Sequence, residues 1–136
     1  MYPEYLVAPM REELTKVGFK ELKTAAEVDD AIKSEGTALV VVNSVCGCAA
    51  ANARPGVRMA VNNTKKPDHL LTVFAGMEKD AVDQARAHML PFPPSSPAIA
   101  LFKNGELVHM IERHQIEGRS AELIADNLAA AFEQYC

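Results

Sequence analysis

The amino-acid sequence predicts an α/β fold in which a mixed β-sheet is sandwiched between α-helices. Two short apolar runs, residues 37–43 and 69–75, are typical of strands buried on both faces. Segments of helical character precede and follow each run. The dipeptide Asn104-Gly105, between two further strand-like runs, predicts a β-hairpin. Strands that alternate with helices and end in a hairpin favour one mixed sheet covered by helices.

The first part of the chain is expected to contain a helix over 9–17, a short edge strand over 19–22 and a second helix from residue 25 to Gly36. Pro9 suits the first position of a helix, and Gly18 suits the residue after its last turn. Thr24 and Glu27 have the spacing of a capping box, in which each side chain satisfies a backbone amide of the other residue.

The remaining elements are a strand over 37–43, a helix over 49–62, a strand over 69–75, a helix over 78–89, hairpin strands over 98–103 and 106–111, and a final helix over 118–134. Pro55 predicts a kink or a late start in the helix over 49–62, because proline lacks the amide hydrogen of a helical hydrogen bond. The proline-rich segment 91–97 is expected to be a loop. The final helix is expected to turn these residues inward: Leu123, Ile124, Leu128, Ala131 and Phe132.

Composition predicts one globular domain over residues 1–136, with 49% hydrophobic and 24% charged residues. A net charge of −4 argues against a nucleic-acid surface. The longest apolar stretch, Ala38–Val42, is too short to span a membrane, and the N-terminus does not resemble a signal peptide. An odd number of cysteines, three, disfavours a secreted disulfide framework, so we expect a cytoplasmic protein.

Cys46 and Cys48 are the candidate catalytic residues, because they lie where a buried strand passes into a helix. The positive end of the helix dipole lowers the pKa of a thiol at that point and favours the nucleophilic thiolate. Cys46 is closer to the strand and is expected to attack a substrate disulfide. Cys48, at the start of the helix, is expected to resolve the product or to modulate Cys46.

Gly47 is the residue best able to bend so that the two thiols can form a disulfide. The small ring would be strained, so we expect a redox-active disulfide with a relatively oxidising potential. Two alternatives remain open: the cysteines are small buried apolar residues, or they bind zinc together with Cys136 and a histidine. The spacing of Cys46 and Cys48 is shorter than that of usual zinc motifs.

The peptide bond between Ser96 and Pro97 is a candidate for the cis isomer, because it enters a predicted central strand. In a fold of this order, the loop would lie beside the start of the cysteine helix. Pro97 would then keep metal away from the thiols, and Ser96 would offer backbone groups to a peptide or a thiol ligand. The alternative is a simple turn in a proline-rich loop.

Three segments together resemble the thioredoxin-like superfamily: Asn43–Ala49, Ser95–Ala98 and the Asn104-Gly105 turn. More closely, the chain resembles the bacilliredoxin family of Cys-Gly-Cys proteins over nearly its whole length. The resemblance implies a thioredoxin-like fold and an enzyme that removes the thiol bacillithiol from S-thiolated protein substrates. It also implies that Cys46 accepts the bacillithiol, that Cys48 or a second bacillithiol releases it, and that Pro97 occupies the cis-proline position.

The resemblance implies bacillithiol as a co-substrate, no bound cofactor and no metal. Val45 replaces the tryptophan that thioredoxins have before the motif, and the strand segment Leu39–Val42 lacks their buried acid. The group that would accept a proton from Cys48 is therefore unidentified, which favours a mixed-disulfide role over dithiol reduction. The alternatives are a general protein disulfide isomerase or reductase, a non-catalytic redox sensor and a metal-binding module.

Four further residues and the histidines have expected roles in or near the site. Arg54 lies about two helical turns beyond Cys46 and is expected either to attract a carboxylate of bacillithiol or to lie on the surface. Asn43 and Ser44 could donate hydrogen bonds to a thiolate or form a turn. Cys136 is expected to be a free terminal thiol, or else to resolve an intermediate or bridge two molecules. The histidines are expected to be ordinary surface or strand-end residues.

Overall fold

The structure, a computed structural model that describes residues 1–136, contains five β-strands and six α-helices. In chain order the elements are α1 (Glu4–Thr15), β1 (Lys20–Glu21), α2 (Ala25–Lys33), β2 (Thr37–Asn43), a π-helical turn (Ala49–Ala53), α3 (Arg54–Ala60), β3 (His69–Phe74), α4 (Lys79–His88), β4 (Ala98–Lys103), β5 (Glu106–Ile111), α5 (Arg113–Ile116) and α6 (Ala121–Tyr135). None of the helices combines the length and the apolar character that crossing a membrane requires.

The five strands form one mixed sheet, as the sequence predicts, and the structure shows their order to be β1-β3-β2-β4-β5. β1, β3 and β2 run parallel, whereas β4 pairs antiparallel with β2, and β5 pairs antiparallel with β4. The central strand β2 is buried along all seven residues. Its continuous apolar character follows from this position, because helices cover both faces of the sheet.

Side chains alternate between two cores as β2 crosses the sheet. Leu39 and Val41 belong to the core beneath α1, α3 and α6, whereas Val40 and Val42 belong to the core beneath α2 and α4. Both faces of β2 are therefore packed up to its last residues. The loop that carries the cysteines follows directly from this rigid strand.

The local turn signals in the sequence are confirmed. Thr24 and Glu27 form the predicted capping box at the start of α2. Asn104 and Gly105 both have positive φ, 51° and 83°, which a type I′ hairpin turn requires.

The start of α1 differs from the prediction. The helix begins at Glu4 rather than at Pro9, and Pro9 lies inside it. Proline in this position removes one hydrogen bond to the carbonyl of Tyr5. The helix continues through it because Val7 is fully buried and because Glu4 pairs with Arg11 at 2.9 Å across the first two turns.

The C-terminal region also differs from the prediction. A short helix, α5, precedes α6, which begins only after its N-cap residue Ser120. Leu123 therefore lies in the first turn of α6 and is 58% exposed, so its predicted inward orientation is wrong. Four of the predicted residues do face the core: Ile124, Leu128, Ala131 and Phe132.

The predicted irregularity at Pro55 is a π-helical turn, which comes immediately before α3. Proline cannot donate to the carbonyl of Ala51, so the turn widens and α3 starts at Arg54. A π-helical turn adds one residue relative to an α-helix, which rotates the following side chains by about 100°. This rotation determines where Arg54 points.

Gly56→Ala is expected to destabilise the protein, because α3 packs closely on α6 at this point. A Cβ at residue 56 would lie 2.8 Å from Cγ2 of Ile124 and 3.0 Å from the carbonyl oxygen of Ala121. Overpacking typically costs about 1–3 kcal/mol, and contacts this short place the cost in the upper part of that range, above the gain of about 1 kcal/mol from the better helix propensity of alanine.

Urea unfolding measures this effect, and Gly47→Ala is the matched control. A Cβ at residue 47 would meet nothing within 4 Å, so the control is expected to keep the wild-type free energy of unfolding. Equal stability of Gly56→Ala and the wild type would contradict the close packing of α3 on α6.

Candidate active site

The two cysteines lie where the central strand passes into a helix, as the sequence predicts. The carbonyl oxygen of Cys46 accepts hydrogen bonds from the amides of Ala49, at 3.1 Å, and Ala50, at 3.2 Å. Cys46 therefore stands at the N-terminus of the cysteine helix. The sulfur atoms of Cys46 and Cys48 are 2.7 Å apart, and both thiols are free and half-buried.

The environment of Cys46 stabilises its thiolate. Burial alone would raise the pKa of the Cys46 thiol, but hydrogen bonds from the Cys48 thiol, the Ala49 amide and the Ser44 hydroxyl act in the opposite direction. The positive charge of Arg113 adds to them. Together these contacts outweigh burial and lower the pKa of Cys46 below its ordinary value.

The environment of Cys48 has the opposite effect. Burial raises the pKa of the Cys48 thiol, and its hydrogen bond to Cys46 and the negative charge of Cys46 raise it further. The charge of Arg113 lowers this pKa only in part. The two neighbouring thiols therefore differ in acidity, with Cys46 the stronger acid, which is the asymmetry expected of an attacking and a resolving cysteine.

Gly47 does not bend the chain in this reduced state. Its φ is not in the left-handed region, and a Cβ there would meet nothing within 4 Å. Glycine instead leaves the exposed face between the two thiols without a side chain.

A buried polar network supports the loop between β2 and the cysteine helix. Asn43 is 1% exposed, and its Oδ1 accepts hydrogen bonds from the Ser44 amide, at 2.8 Å, and from Nη1 of Arg54, at 3.0 Å. Its Nδ2 donates to the carbonyl of Met10 in α1 at 3.2 Å. The hydroxyl of Ser44 accepts a hydrogen bond from the Cys46 amide at 3.3 Å. Asn43 thus fixes the loop, and Ser44 contacts Cys46 directly.

Arg54 neither faces the pocket nor lies on the surface, so both expectations for it, attraction of a bacillithiol carboxylate and exposure to solvent, are wrong. The residue is 2% exposed, and its Nη1 donates to the carbonyl of Ser44 at 2.7 Å. Its Nε lies 3.1 Å from Oε2 of Glu13, an ion-pair distance, although the N–H does not point at that oxygen. The π-helical turn before α3 rotates Arg54 inward, where its guanidinium bonds to the loop between β2 and the cysteine helix.

The Ser96–Pro97 peptide bond is cis, as the sequence suggests, and a second cis bond, Leu90–Pro91, was not predicted. Ala98, the next residue, pairs with Val42 near the end of β2. Pro97 comes directly before Ala98 and so lies at the edge of the sheet from which the cysteine loop emerges, where it is buried. The carbonyl of Ser96 already accepts a hydrogen bond, from Nη1 of Arg113 at 3.0 Å.

Arg113, the first residue of α5, is a candidate site residue that the sequence analysis missed. Its charge acts on both thiols, and its guanidinium contacts Ser96 and Glu117. The hairpin could have revealed it: β5 runs antiparallel to β4, and Ile111 pairs with Ile99. The residues after Ile111 must therefore return to the edge of the sheet where the cysteines lie.

Cys136 lies at the opposite edge of the sheet. Its thiol contacts Thr37, the first residue of β2, whereas the candidate site follows the last residue. A seven-residue strand spans roughly 20 Å, so Cys136 cannot reach Cys46 in the same chain to resolve an intermediate or to share a metal ion. The structure groups no three His, Cys, Asp or Glu side chains in a way that could hold a metal ion.

Comparison with known sequences places this geometry in context. A family model described as disulphide isomerase matches residues 2–136. A protein named bacilliredoxin from Cytophaga hutchinsonii is 58% identical over 98% of this chain and 99% of its own length. Bacilliredoxins from Koribacter versatilis and Halalkalibacterium halodurans are each 53% identical, over 100% and 99% of this chain and 94% of their own lengths.

Comparison with solved structures identifies the fold. The oxidised mitochondrial thioredoxin 3 of Saccharomyces cerevisiae matches with a TM-score of 0.59 and 16% identity over 90% of this chain and 98% of its own. An oxidised thioredoxin from Plasmodium falciparum matches with a TM-score of 0.58 and 18% identity over 87% of this chain and 98% of its own. The predicted thioredoxin-like fold is confirmed.

Arg54→Gln is expected to lower the free energy of unfolding by about 2–4 kcal/mol, because it removes a buried cation and leaves the carbonyl of Ser44 without its donor. The partial exposure of Glu13 keeps the loss below that of a fully buried ion pair. Chemical unfolding monitored by circular dichroism measures it. Arg119→Gln, which removes an exposed arginine, is the control and is expected to change stability by less than about 0.5 kcal/mol. Equal small effects of the two substitutions would show that the network does not support the loop.

Proposed function

We propose that this chain, which belongs to the bacilliredoxin family and is a thiol–disulfide oxidoreductase, removes bacillithiol from mixed disulfides on protein cysteines. The observation that supports the proposal is the difference in acidity between Cys46 and Cys48 at the start of one helix. The Cys46 thiolate, which is favoured near neutral pH, can attack a disulfide, whereas the Cys48 thiol stays protonated until the second step.

In the first step, the Cys46 thiolate attacks the bacillithiol sulfur of the protein mixed disulfide. A bond forms between Sγ of Cys46 and bacillithiol while the bond to the protein sulfur breaks. The protein cysteine leaves as a thiolate and takes a proton from solvent. It is reduced as Cys46 is oxidised, so the step needs no further oxidant or bound cofactor.

In the second step, Cys46 is released by one of two thiols. The Cys48 thiolate attacks Sγ of Cys46, forms the Cys46–Cys48 disulfide and expels bacillithiol as a thiolate. Alternatively, a second bacillithiol attacks the bacillithiol sulfur on Cys46, and bacillithiol disulfide leaves. Burial still raises the pKa of the Cys48 thiol in this intermediate, but the charge of the Cys46 thiolate is gone, so Cys48 becomes a stronger acid and a more available nucleophile once Cys46 carries bacillithiol.

The proposed partners and cellular location of the protein follow from this chemistry. Its partners are S-thiolated proteins and a low-molecular-weight thiol, and we propose the cytoplasm as its location, because thiols are kept reduced there. Pro97 and Ser96 are proposed to contact the substrate beside the thiols, since β4 begins next to the end of β2.

Rearrangement of disulfides in other proteins is a second candidate function. The matching family is described as disulphide isomerase, and a nucleophilic thiol that is partly exposed at the N-terminus of a helix can attack protein disulfides as well. The same Cys46 would then act on a different substrate.

Transfer of bacillithiol is tested by mixing the reduced protein with a bacillithiolated protein and following intact masses. Cys48→Ala is expected to gain and keep the mass of bacillithiol while the substrate loses it, because Cys46 is the acceptor. The wild type is expected to remove bacillithiol from the substrate as well, and to lose it again wherever the Cys46–Cys48 disulfide forms. Cys46→Ala is expected to do neither. Cys136→Ala is the matched control and is expected to behave like the wild type, because Cys136 lies at the far edge of the sheet.

Two outcomes would contradict the proposal. If no mass moves while scrambled protein disulfides are rearranged, the isomerase function replaces bacillithiol transfer. If Cys46→Ala still takes up bacillithiol, Cys46 is not the acceptor.

A further inference from the structure

Three contacts bring α5 to the site from a distant part of the chain. The backbone amide of Arg113 donates to Oγ of Ser95 at 3.3 Å, and its Nη1 donates to the carbonyl of Ser96 at 3.0 Å. Asn52, in the π-helical turn after the cysteines, donates to the carbonyl of Ile116 at 3.4 Å. Cys48 packs against the apolar core to which Ile116 belongs. The guanidinium of Arg113 thus lies where the cis-proline loop, α5 and the cysteine helix meet.

The guanidinium is fixed but still has free donors. Its Nε bonds to Oε1 of Glu117 and its Nη1 to Ser96, whereas no protein acceptor contacts its Nη2. The side chain is 44% exposed, and that of Glu117 is 52% exposed. An incoming carboxylate can therefore bind the free Nη2 and replace Glu117 at Nε, which is the two-point geometry that arginine offers to carboxylates.

The negative groups around Arg113 are already engaged. Glu112 is the N-cap residue of α5, where its amide donates to Oε1 of Gln115 at 2.9 Å and its carbonyl accepts from the Gln115 amide at 2.9 Å. Its Oε2 lies 3.9 Å from Nε2 of His114, and Glu117 is the carboxylate whose charge acts on Arg113. Glu117 is the carboxylate that an anionic ligand would displace. The partner of Arg113 is therefore an exposed side chain at the end of α5, which an incoming carboxylate can reach and replace.

We propose that Arg113 is a specificity-determining residue that binds a carboxylate of the incoming thiol, and that Glu117 competes for the same position. The inference rests on the proposed function, because it concerns the thiol that Cys46 accepts. It names the substrate class as low-molecular-weight thiols with a carboxylate, a group that bacillithiol has. The influence of the Arg113 charge on both thiols is consistent with this position next to the reacting sulfur atoms.

The test compares two small disulfides, the anionic 3,3′-dithiodipropionate and the neutral bis(2-hydroxyethyl) disulfide, as substrates of Cys46. The rate of mixed-disulfide formation is measured by mass in a Cys48→Ala background, where the product is retained. The ratio of the anionic rate to the neutral rate isolates recognition of the carboxylate, because a change in the reactivity of Cys46 affects both substrates.

Arg113→Gln is expected to lower this ratio about fivefold, Arg113→Lys is expected to retain part of it, and Glu117→Gln is expected to raise it. Lys103→Gln removes an exposed positive charge at the far edge of the sheet and is the control for net charge. Its ratio is expected to equal that of the parent. A merely structural role of Arg113 would not move the ratio in opposite directions in the Arg113 and Glu117 variants.

The inference is overturned if Arg113→Gln and Glu117→Gln leave the ratio unchanged while both disulfides react. That result would leave the proposed transfer function intact. If Cys46 reacts with neither disulfide nor with a bacillithiolated protein, the proposed function itself fails.

Discussion

The site depends on one buried cation, Arg54, which holds the chain where it leaves the central strand. Where the chain leaves a fully buried strand, its backbone amides and carbonyls no longer pair with neighbouring strands and need other hydrogen-bond partners. Arg54 bonds to the side chain of Asn43 and to the carbonyl of Ser44, and Asn43 in turn bonds to the Ser44 amide. Ser44 is thereby fixed, and its hydroxyl accepts a hydrogen bond from the Cys46 amide.

This fixed geometry explains how two identical side chains, one residue apart, acquire different chemistry. Cys46 receives hydrogen bonds from the thiol of Cys48, the Ala49 amide and the Ser44 hydroxyl, all of which favour its thiolate. Cys48 donates to Cys46 and is left in the less polar position, packed against the core. The acidity of one thiol is thus increased at the expense of the other, and no buried carboxylate is required.

Much of the fold could be predicted from local signals, because the run 37–43, the hairpin turn and the capping box each depend on residues close together in sequence. Leu123 was misplaced because apolar periodicity does not reveal where α6 begins. Arg54 was misplaced because a π-helical turn changes the angular position of every residue after it. Arg113 was missed because its place beside the thiols depends on the return of β5 across the sheet, a long-range pairing. The cysteine pair, by contrast, could be located because its context, a buried strand followed by a helix, is local.

The most direct measurement of the central claim is an NMR titration of the reduced protein with ¹³C-labelled cysteine. The Cβ chemical shifts of Cys46 and Cys48 report the ionisation of each thiol separately. The account predicts that Cys46 titrates below the range of an ordinary cysteine and Cys48 above it. Titration of both thiols at the ordinary value, or of Cys48 before Cys46, would contradict the claim that this strand–helix junction makes Cys46 the nucleophile.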